Sequence, residues 1–207
     1  MRIPAAVLML LAAAVSSDSV EIGENELPSN NPFCGDCAAS MRYQTLYLED
    51  EIGSPIDIEA ISLMRTIQAG ATYVTLDTLV IYIGYCSGDE LGTGFDGNYS
   101  PGTRQLVFWE EDCTISAPEP NQWFQIDLET PFSYSGSGNI IIEYAWPDGY
   151  GAVYNWNWTG TVARSLTGEW QSASGFTTQD CPHILLTYTN GLECTTFGAV
   201  KALLGSQ

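Results

Sequence analysis

Leu79-Val80-Ile81-Tyr82-Ile83-Gly84 is the stretch that decides the fold class. Leu79, Ile81 and Ile83 point to one side of an extended chain and Val80 and Tyr82 to the other. A strand that is apolar on both faces belongs in the middle of a sheet. The pattern extends backward, so residues 73–84 form one long strand. A second doubly apolar run, Ile140-Ile141-Ile142, lies within a strand over residues 139–146, and both are placed centrally. Outward from these, period-2 alternation marks strands at residues 43–48, 58–66, 104–109, 123–128, 152–158, 161–166 and 183–189. Gly, Pro, Asn, Asp and Ser punctuate the gaps, as in Gly94-Phe95-Asp96-Gly97-Asn98 and Ser135-Gly136-Ser137-Gly138. Almost nothing has a helical period. The expectation is an all-β, two-sheet antiparallel sandwich, jelly-roll-like, of about nine strands.

The chain has 207 residues, 25 Asp+Glu, six Lys+Arg and one His, a formal charge of −19. A body this acidic is repelled by phosphate, which excludes nucleic acid and anionic lipid as partners. Forty-five per cent hydrophobic residues suffice for one sizeable core. Arg2 followed by an uncharged run over residues 5–15 reads as a secretory signal, too short to span a bilayer. The domain reading is a signal peptide at 1–17, an acidic arm at 18–40 and the sandwich at 41–190. A linker-like tail follows at 191–207. No membrane insertion is expected, and the mature protein is expected to be secreted, extracellular or on a cell surface. The arm either lies across the sandwich or forms a flexible leader.

Six cysteines agree with export: Cys34, Cys37, Cys86, Cys113, Cys181 and Cys194. Six thiols allow 15 pairings; the local solution is Cys34–Cys37, Cys86–Cys113 and Cys181–Cys194. A redox role for Cys34-Gly35-Asp36-Cys37 would need a strand before it and a helix after it. Prolines precede it and a strand pattern follows.

Between Val20 and Tyr188 the chain resembles a recurrent β-sandwich module of secreted surface proteins from bacteria with type IX secretion and related lineages. The residues that carry this are Val20-Glu21-Ile22-Gly23, Gln44-Thr45-Leu46-Tyr47 leading to Glu51-Ile52-Gly53, and residues 58–66. Leu79-Val80-Ile81-Tyr82-Ile83-Gly84 and Trp123-Phe124-Gln125-Ile126-Asp127-Leu128 follow. Most telling are Thr130-Pro131-Phe132-Ser133-Tyr134-Ser135-Gly136 and Asn139-Ile140-Ile141-Ile142-Glu143. Thr196-Phe197-Gly198-Ala199-Val200-Lys201-Ala202-Leu203 looks like the junction before a sorting or linker domain. The resemblance implies a surface location and a structural or adhesive role, and it brings no catalytic residues.

No enzyme is expected. The single histidine, His183, precedes an apolar strand and has no nucleophile elbow to serve; it reads as a satisfied strand-edge histidine. Glu110, Glu111, Asp127 and Glu143 are the carboxylates available for a glycosidase pair, which needs two facing one cleft, and spacing selects none. Glu143, inside an isoleucine-rich strand, reads as an outward-facing side chain on a half-exposed strand. Trp156 and Trp158 share a face with Tyr154, opposite Asn155 and Asn157. Such an aromatic stripe suits the apolar faces of sugar rings, with Trp170 extending it. Calcium takes six to eight oxygens, and Asp96, Asn98 and Asp148 lie in oxygen-rich turns. A structural calcium is the one cofactor considered. Asn98-Tyr99-Ser100 and Asn157-Trp158-Thr159 fit the glycosylation triplet. The leading reading is a non-catalytic surface module that adheres or self-assembles, its arm adding a strand to a neighbour; its partners are then itself or other surface proteins. The alternative is a polysaccharide-binding module using the aromatic face.

Overall fold

The computed structural model describes residues 17–68 and 72–189. The expected signal segment up to residue 16, the tail at 191–207 and Cys194 lie outside the described residues. The strands in chain order are β1 (Ser17–Ile22), β2 (Leu27–Ser29), β3 (Met41–Tyr47), β4 (Ile56–Met64), β5 (Tyr73–Tyr85), β6 (Gln105–Ser116) and β7 (Trp123–Tyr134). They continue with β8 (Ile140–Trp146), β9 (Gly149–Gly151), β10 (Asn155–Thr159), β11 (Ser165–Gly168), β12 (Phe176–Thr178), β13 (Asp180–Pro182) and β14 (Ile184–Thr189). One helical turn, Glu49–Ile52, joins β3 to β4, and its entry is fixed by the Leu48 N–H donating to Glu51 Oε2 at 2.7 Å.

Every ladder between these strands is antiparallel. The front sheet runs β1-β14-β4-β7 and the back sheet β12-β11-β3-β8-β5-β6, with β9 added to β5; β13-β10-β2 is a small third sheet. The all-β sandwich is therefore as expected, and β5 and β8 are interior strands of the back sheet. Tyr43, Tyr47, Ile81, Ile83, Ile142 and Tyr144 of the back sheet meet Ile58, Ile61, Leu63, Phe124, Ile126, Ile184 and Leu186 of the front sheet in one core. At about 25 cal/mol per Å² of apolar surface removed from water, this burial is the main stabilising term.

The expectation of about nine strands is corrected to fourteen among the described residues. All nine expected segments contain a strand, and the additions are β1, β2, β9, β12 and β13. Four of those have three residues, too few to show a period of two. The fifth, β1, is an edge strand exposed over most of its length, so it lacks a buried face to alternate with. β6 and β7 each run on to twelve residues, past the expected ends at 109 and 128. Exposed acidic residues at 110–112 and exposed Glu129, Thr130 and Pro131 interrupt the alternation before it resumes with buried Cys113 and Ile115 on β6 and Phe132 and Tyr134 on β7. The N-terminal arm lies on the sandwich: β1 pairs with β14 from Ser17↔Thr189 to Ile22↔Ile184.

The face of the back sheet turned away from the core is also covered. Leu91, Phe95 and Tyr99, from the connection between β5 and β6, pack on Leu46, Ile141 and Leu166 as a second small core. This is why β3 and β8 are buried at every position. The strap holds its place by a Cys86–Tyr99 bridge and a Gly94–Ser174 bridge.

Cys34 and Cys37 form a disulfide, with Cα atoms 5.2 Å apart. The expected Cys86–Cys113 bond does not form; both thiols are free. Cys113 is in register with Leu76, while Cys86 lies just past the far end of β5. The step from 76 to 86 at about 3.3 Å per residue separates them by roughly 30 Å, whereas a disulfide needs Cα atoms within about 7 Å. Cys181 is buried and its thiol lies 3.7 Å from the Leu46 carbonyl oxygen. Its expected partner, Cys194, lies outside the described residues.

Candidate functional site

The register of the back sheet brings a polar cluster together on its outer face. Arg42 pairs with Ala145, and Gln44 with Glu143, between β3 and β8; Glu143 pairs in turn with Tyr82 on β5. Directly opposed residues share a face, so Gln44, Glu143 and Tyr82 form one row, with Arg42 and Ala145 in the next.

Glu143 is the hub, with no exposed surface at all. The expectation of a half-exposed side chain was right about direction and wrong about burial. The strap between β5 and β6 lies over it. Five donors reach its two oxygens. Arg42 Nε and Arg104 Nη2 donate to Oε1 at 3.0 and 2.7 Å. Arg42 Nη2, Gln44 Nε2 and the Tyr99 hydroxyl donate to Oε2 at 3.3, 2.6 and 3.2 Å. A carboxylate offers about four lone-pair sites, so Glu143 is saturated. A buried anion is tolerable only when paired and hydrogen-bonded in this way.

The hub orients the groups around it. Arg42 also donates to Asp96 Oδ1 at 2.6 Å and to the Ser172 carbonyl at 3.0 Å. The Arg42 hydrogen bond holds the Asp96 carboxyl below the ordinary carboxylate range, against the opposing effect of burial. Gln44 donates to the Phe95 carbonyl and accepts from Asn98 Nδ2 at 2.9 Å, which ties the strap to the sheet. The Arg104 guanidinium lies over Tyr82, its central carbon 3.7 Å from the ring centroid, a cation–π arrangement. The Tyr99 hydroxyl is pushed well above its usual range, first by burial and then by the Glu143 charge, so it stays a donor.

Beside the hub a cleft of about 330 Å³ opens to solvent, lined by Arg42, Tyr82, Asp96, Arg104, Trp170 and Gln171, with Glu143 and Ala145 at its floor. That volume is at the lower end of the range for small-ligand sites. Trp170 is positioned by its backbone N–H donating to Ser40 Oγ at 3.1 Å and by the Ser172 N–H closing a turn onto the Glu169 carbonyl. The next residue, Gln171, holds φ at 62°, a conformation uncommon outside glycine. Strained backbone of this kind clusters at functional sites.

The structure divides the expected aromatic site in two. On β10 the alternation holds: Asn155 and Asn157 are buried and Trp156 and Trp158 point away from them, half-buried. The tryptophans are partly occupied from outside. Trp156 Nε1 donates to Asn121 Oδ1 at 2.9 Å, and Trp158 packs against the main core with the Arg164 guanidinium 5.0 Å from its ring. Trp158 lines a different cavity, with Glu21, Gly23, Glu24 and Glu51. Tyr154 is half-buried beside this stripe. Only Trp170 reaches the cleft on the back sheet.

The oxygens considered for calcium are engaged elsewhere. Asp96 faces Arg42, Asn98 Oδ1 accepts from the Gly92 N–H at 2.8 Å, and Asp148 Oδ1 accepts from the Gly149 N–H at 2.8 Å. Among the described residues, no group of three or more His, Cys, Asp or Glu side chains is placed to hold a metal ion. Both glycosylation asparagines, Asn98 and Asn157, are buried. Of the candidate acid–base carboxylates, Glu110 and Asp127 line the groove between β6 and β7, away from Glu143. Cys113 lies in that groove, its thiol pushed up to about 12 by burial first and then by Glu110. His183 has Nε2 at 2.8 Å from Glu21 Oε1 and Nδ1 at 2.8 Å from Asn25 Oδ1, with the Trp123 ring 4.9 Å away. It clips the arm to β14.

Sequence reasoning missed Arg42, Arg104, Tyr82 and Gln171. The only signal for the two arginines was scarcity. Arg42 and Arg104 are two of only six basic residues, and a cation spared in so acidic a chain has a specific partner. No family model and no curated protein matches the chain, so the likeness to the surface-protein module rests on the residues quoted for it.

Proposed function

We propose that the protein is a secreted, non-catalytic module that binds neutral carbohydrate in the cleft on the outer face of the back sheet. The observation that carries this reading is the charge balance of the cleft. Two guanidiniums and two carboxylates, Arg42, Arg104, Glu143 and Asp96, cancel within one hydrogen-bonded cluster. An anionic ligand would meet Asp96 and a chain of charge −19; a cationic one would meet two arginines. A polyhydroxyl ligand suits what is left. Arg104 has five N–H groups, of which Glu143 and Tyr99 engage only part, Asp96 offers a carboxylate with 78 per cent of its side chain exposed, and Trp170 supplies an apolar wall. Glu143 is a positioning residue, because its lone pairs are filled from within. The same saturation favours binding over hydrolysis, since a glycosidase acid or base needs a carboxyl free to exchange its proton with the substrate. The Cys34–Cys37 disulfide and the apolar N-terminal run support export. Adhesion to a glycan-bearing surface follows from such binding and agrees with the surface-module likeness.

The test is a glycan array probed with the mature chain from about residue 17. Retention of neutral glycans that survives raised salt, and is lost in Trp170→Ala, is the expected result. Retention only of sulfated or sialylated glycans, or none, overturns the reading.

A second reading has its own support. β1 is an edge strand joined to β2 by the short stretch 23–26, and an edge strand on a short tether can pair with another copy's β14 instead of its own. Sedimentation of the mature chain over a wide concentration range tests this; dimers or longer assemblies that vanish when residues 17–29 are removed support it, and a monomer throughout removes it.

A further inference from the structure

We propose that the binding surface runs on from the cleft across the back sheet to Trp109, so that its ligand is a chain of several sugar residues rather than a single sugar. This rests on the carbohydrate reading of the cleft. The register places Arg42, Ala145, Val80 and Trp109 in one row across β3, β8, β5 and β6. Directly opposed residues share a face, so Trp109 lies on the same outer face as the cleft. The neighbouring row ends in the same way: Gln44, Glu143, Tyr82 and then Leu106. Ala145 is part of the cleft floor, and Trp109 is two strands further on, roughly 10 Å away at about 4.8 Å per strand.

Between the cleft and Trp109 the row is closed, with Ala145 and Val80 small and buried at 4 and 1 per cent exposure, so a chain leaving the cleft crosses over them and next meets Trp109 and Leu106, which stand open at 47 and 43 per cent. An isolated exposed leucine means little. A tryptophan and a leucine on adjoining rows, both rows leading back to a polar cleft, form an apolar platform at the sheet edge. Stacking on an indole suits the C–H face of a sugar ring. The remaining neighbours argue for a neutral occupant. Glu111 is next along the same face, opposite Thr78, and repels an anionic chain. The other exposed aromatics do not join these two rows. Tyr73 and Tyr150 pack edge to face against each other, and Phe176 opposes Thr167, whose row continues to Tyr43 on the core-facing side.

Calorimetric titration of the mature protein with size-graded cello-, malto-, manno- and xylo-oligosaccharides, one to six residues long, tests the extension. The expected result is affinity that rises with length and a Trp109→Ala variant that weakens the longest member about tenfold, as the loss of one aromatic contact implies. The same variant leaves the shortest binding member unchanged, and Trp109→Phe restores most of the loss. Trp109 is half-exposed on an edge strand, so its replacement leaves the core intact. Length-independent affinity, or a Trp109→Ala variant that binds every length like the wild type, overturns the extension while the cleft reading stands. Failure of every series to bind overturns the cleft reading as well.

Discussion

At the residue scale, Glu143 organises the site. Its place in Ile140-Ile141-Ile142-Glu143-Tyr144-Ala145-Trp146 was visible in the sequence, as was its direction, because alternation sets it opposite the core-facing Ile142 and Tyr144. Its burial was not visible, since that depends on a strap of residues 86–104 folding back over the sheet. The arginines that neutralise it are 101 and 39 positions away in the chain, and no local pattern announces such distant pairing. Glu143→Gln leaves two guanidiniums facing a neutral amide in a covered site. It should cost about 3–5 kcal/mol of stability, as removal of one member of a buried ion pair does, read as a lowered urea midpoint. Asp96 gives a pH prediction. Its folded pKa is depressed, so its contact with Arg42 contributes above the unfolded carboxylate value and is lost as pH falls through the folded one. Carbon-13 titration of the carboxyls should place the Asp96 midpoint below the usual 3.8, and saccharide affinity should hold from neutrality down to that range before falling. A midpoint at or above the usual value contradicts the Arg42–Asp96 geometry.

At the scale of elements, long strands with a buried face were legible and short or edge strands were not. β5 and β8 declare themselves by apolar residues on both faces. β1 is legible only as acidic chain, because what holds it is backbone pairing to β14 and the His183 ring set between Glu21 and Asn25. His183→Ala removes that clip without touching the central strands. Hydrogen exchange should quicken over residues 17–25 and stay slow in β5 and β8. Unchanged protection of β1 would show that the ladder alone holds the arm. The aromatic stripe of β10 shows a related limit. Its period was read correctly, yet which partners the outward tryptophans meet was set by Asn121 and Arg164 from other parts of the chain.

At the scale of the whole molecule, the sandwich, the acidic surface and the N-terminal disulfide were readable, whereas the pairing of distant cysteines was not. A nearest-in-sequence rule fails for Cys86 and Cys113 because one long strand carries them to opposite ends of the sheet. Peptide mapping without reduction should recover Cys34–Cys37 and no Cys86–Cys113 cross-link. In the folded protein at neutral pH, Cys113 should resist alkylation, being buried with its thiol pushed up to about 12. Two aromatic surfaces could meet the ligand, Trp170 in the cleft and the Trp156/Trp158 stripe of β10. The most direct measurement is calorimetric titration of one neutral oligosaccharide, chosen from the array, into three proteins: wild type, Trp170→Ala and the double variant Trp156→Ala/Trp158→Ala. Trp170→Ala is expected to lose tenfold or more in affinity while the double variant binds as the wild type does. Loss confined to the double variant would contradict it and move the site to β10.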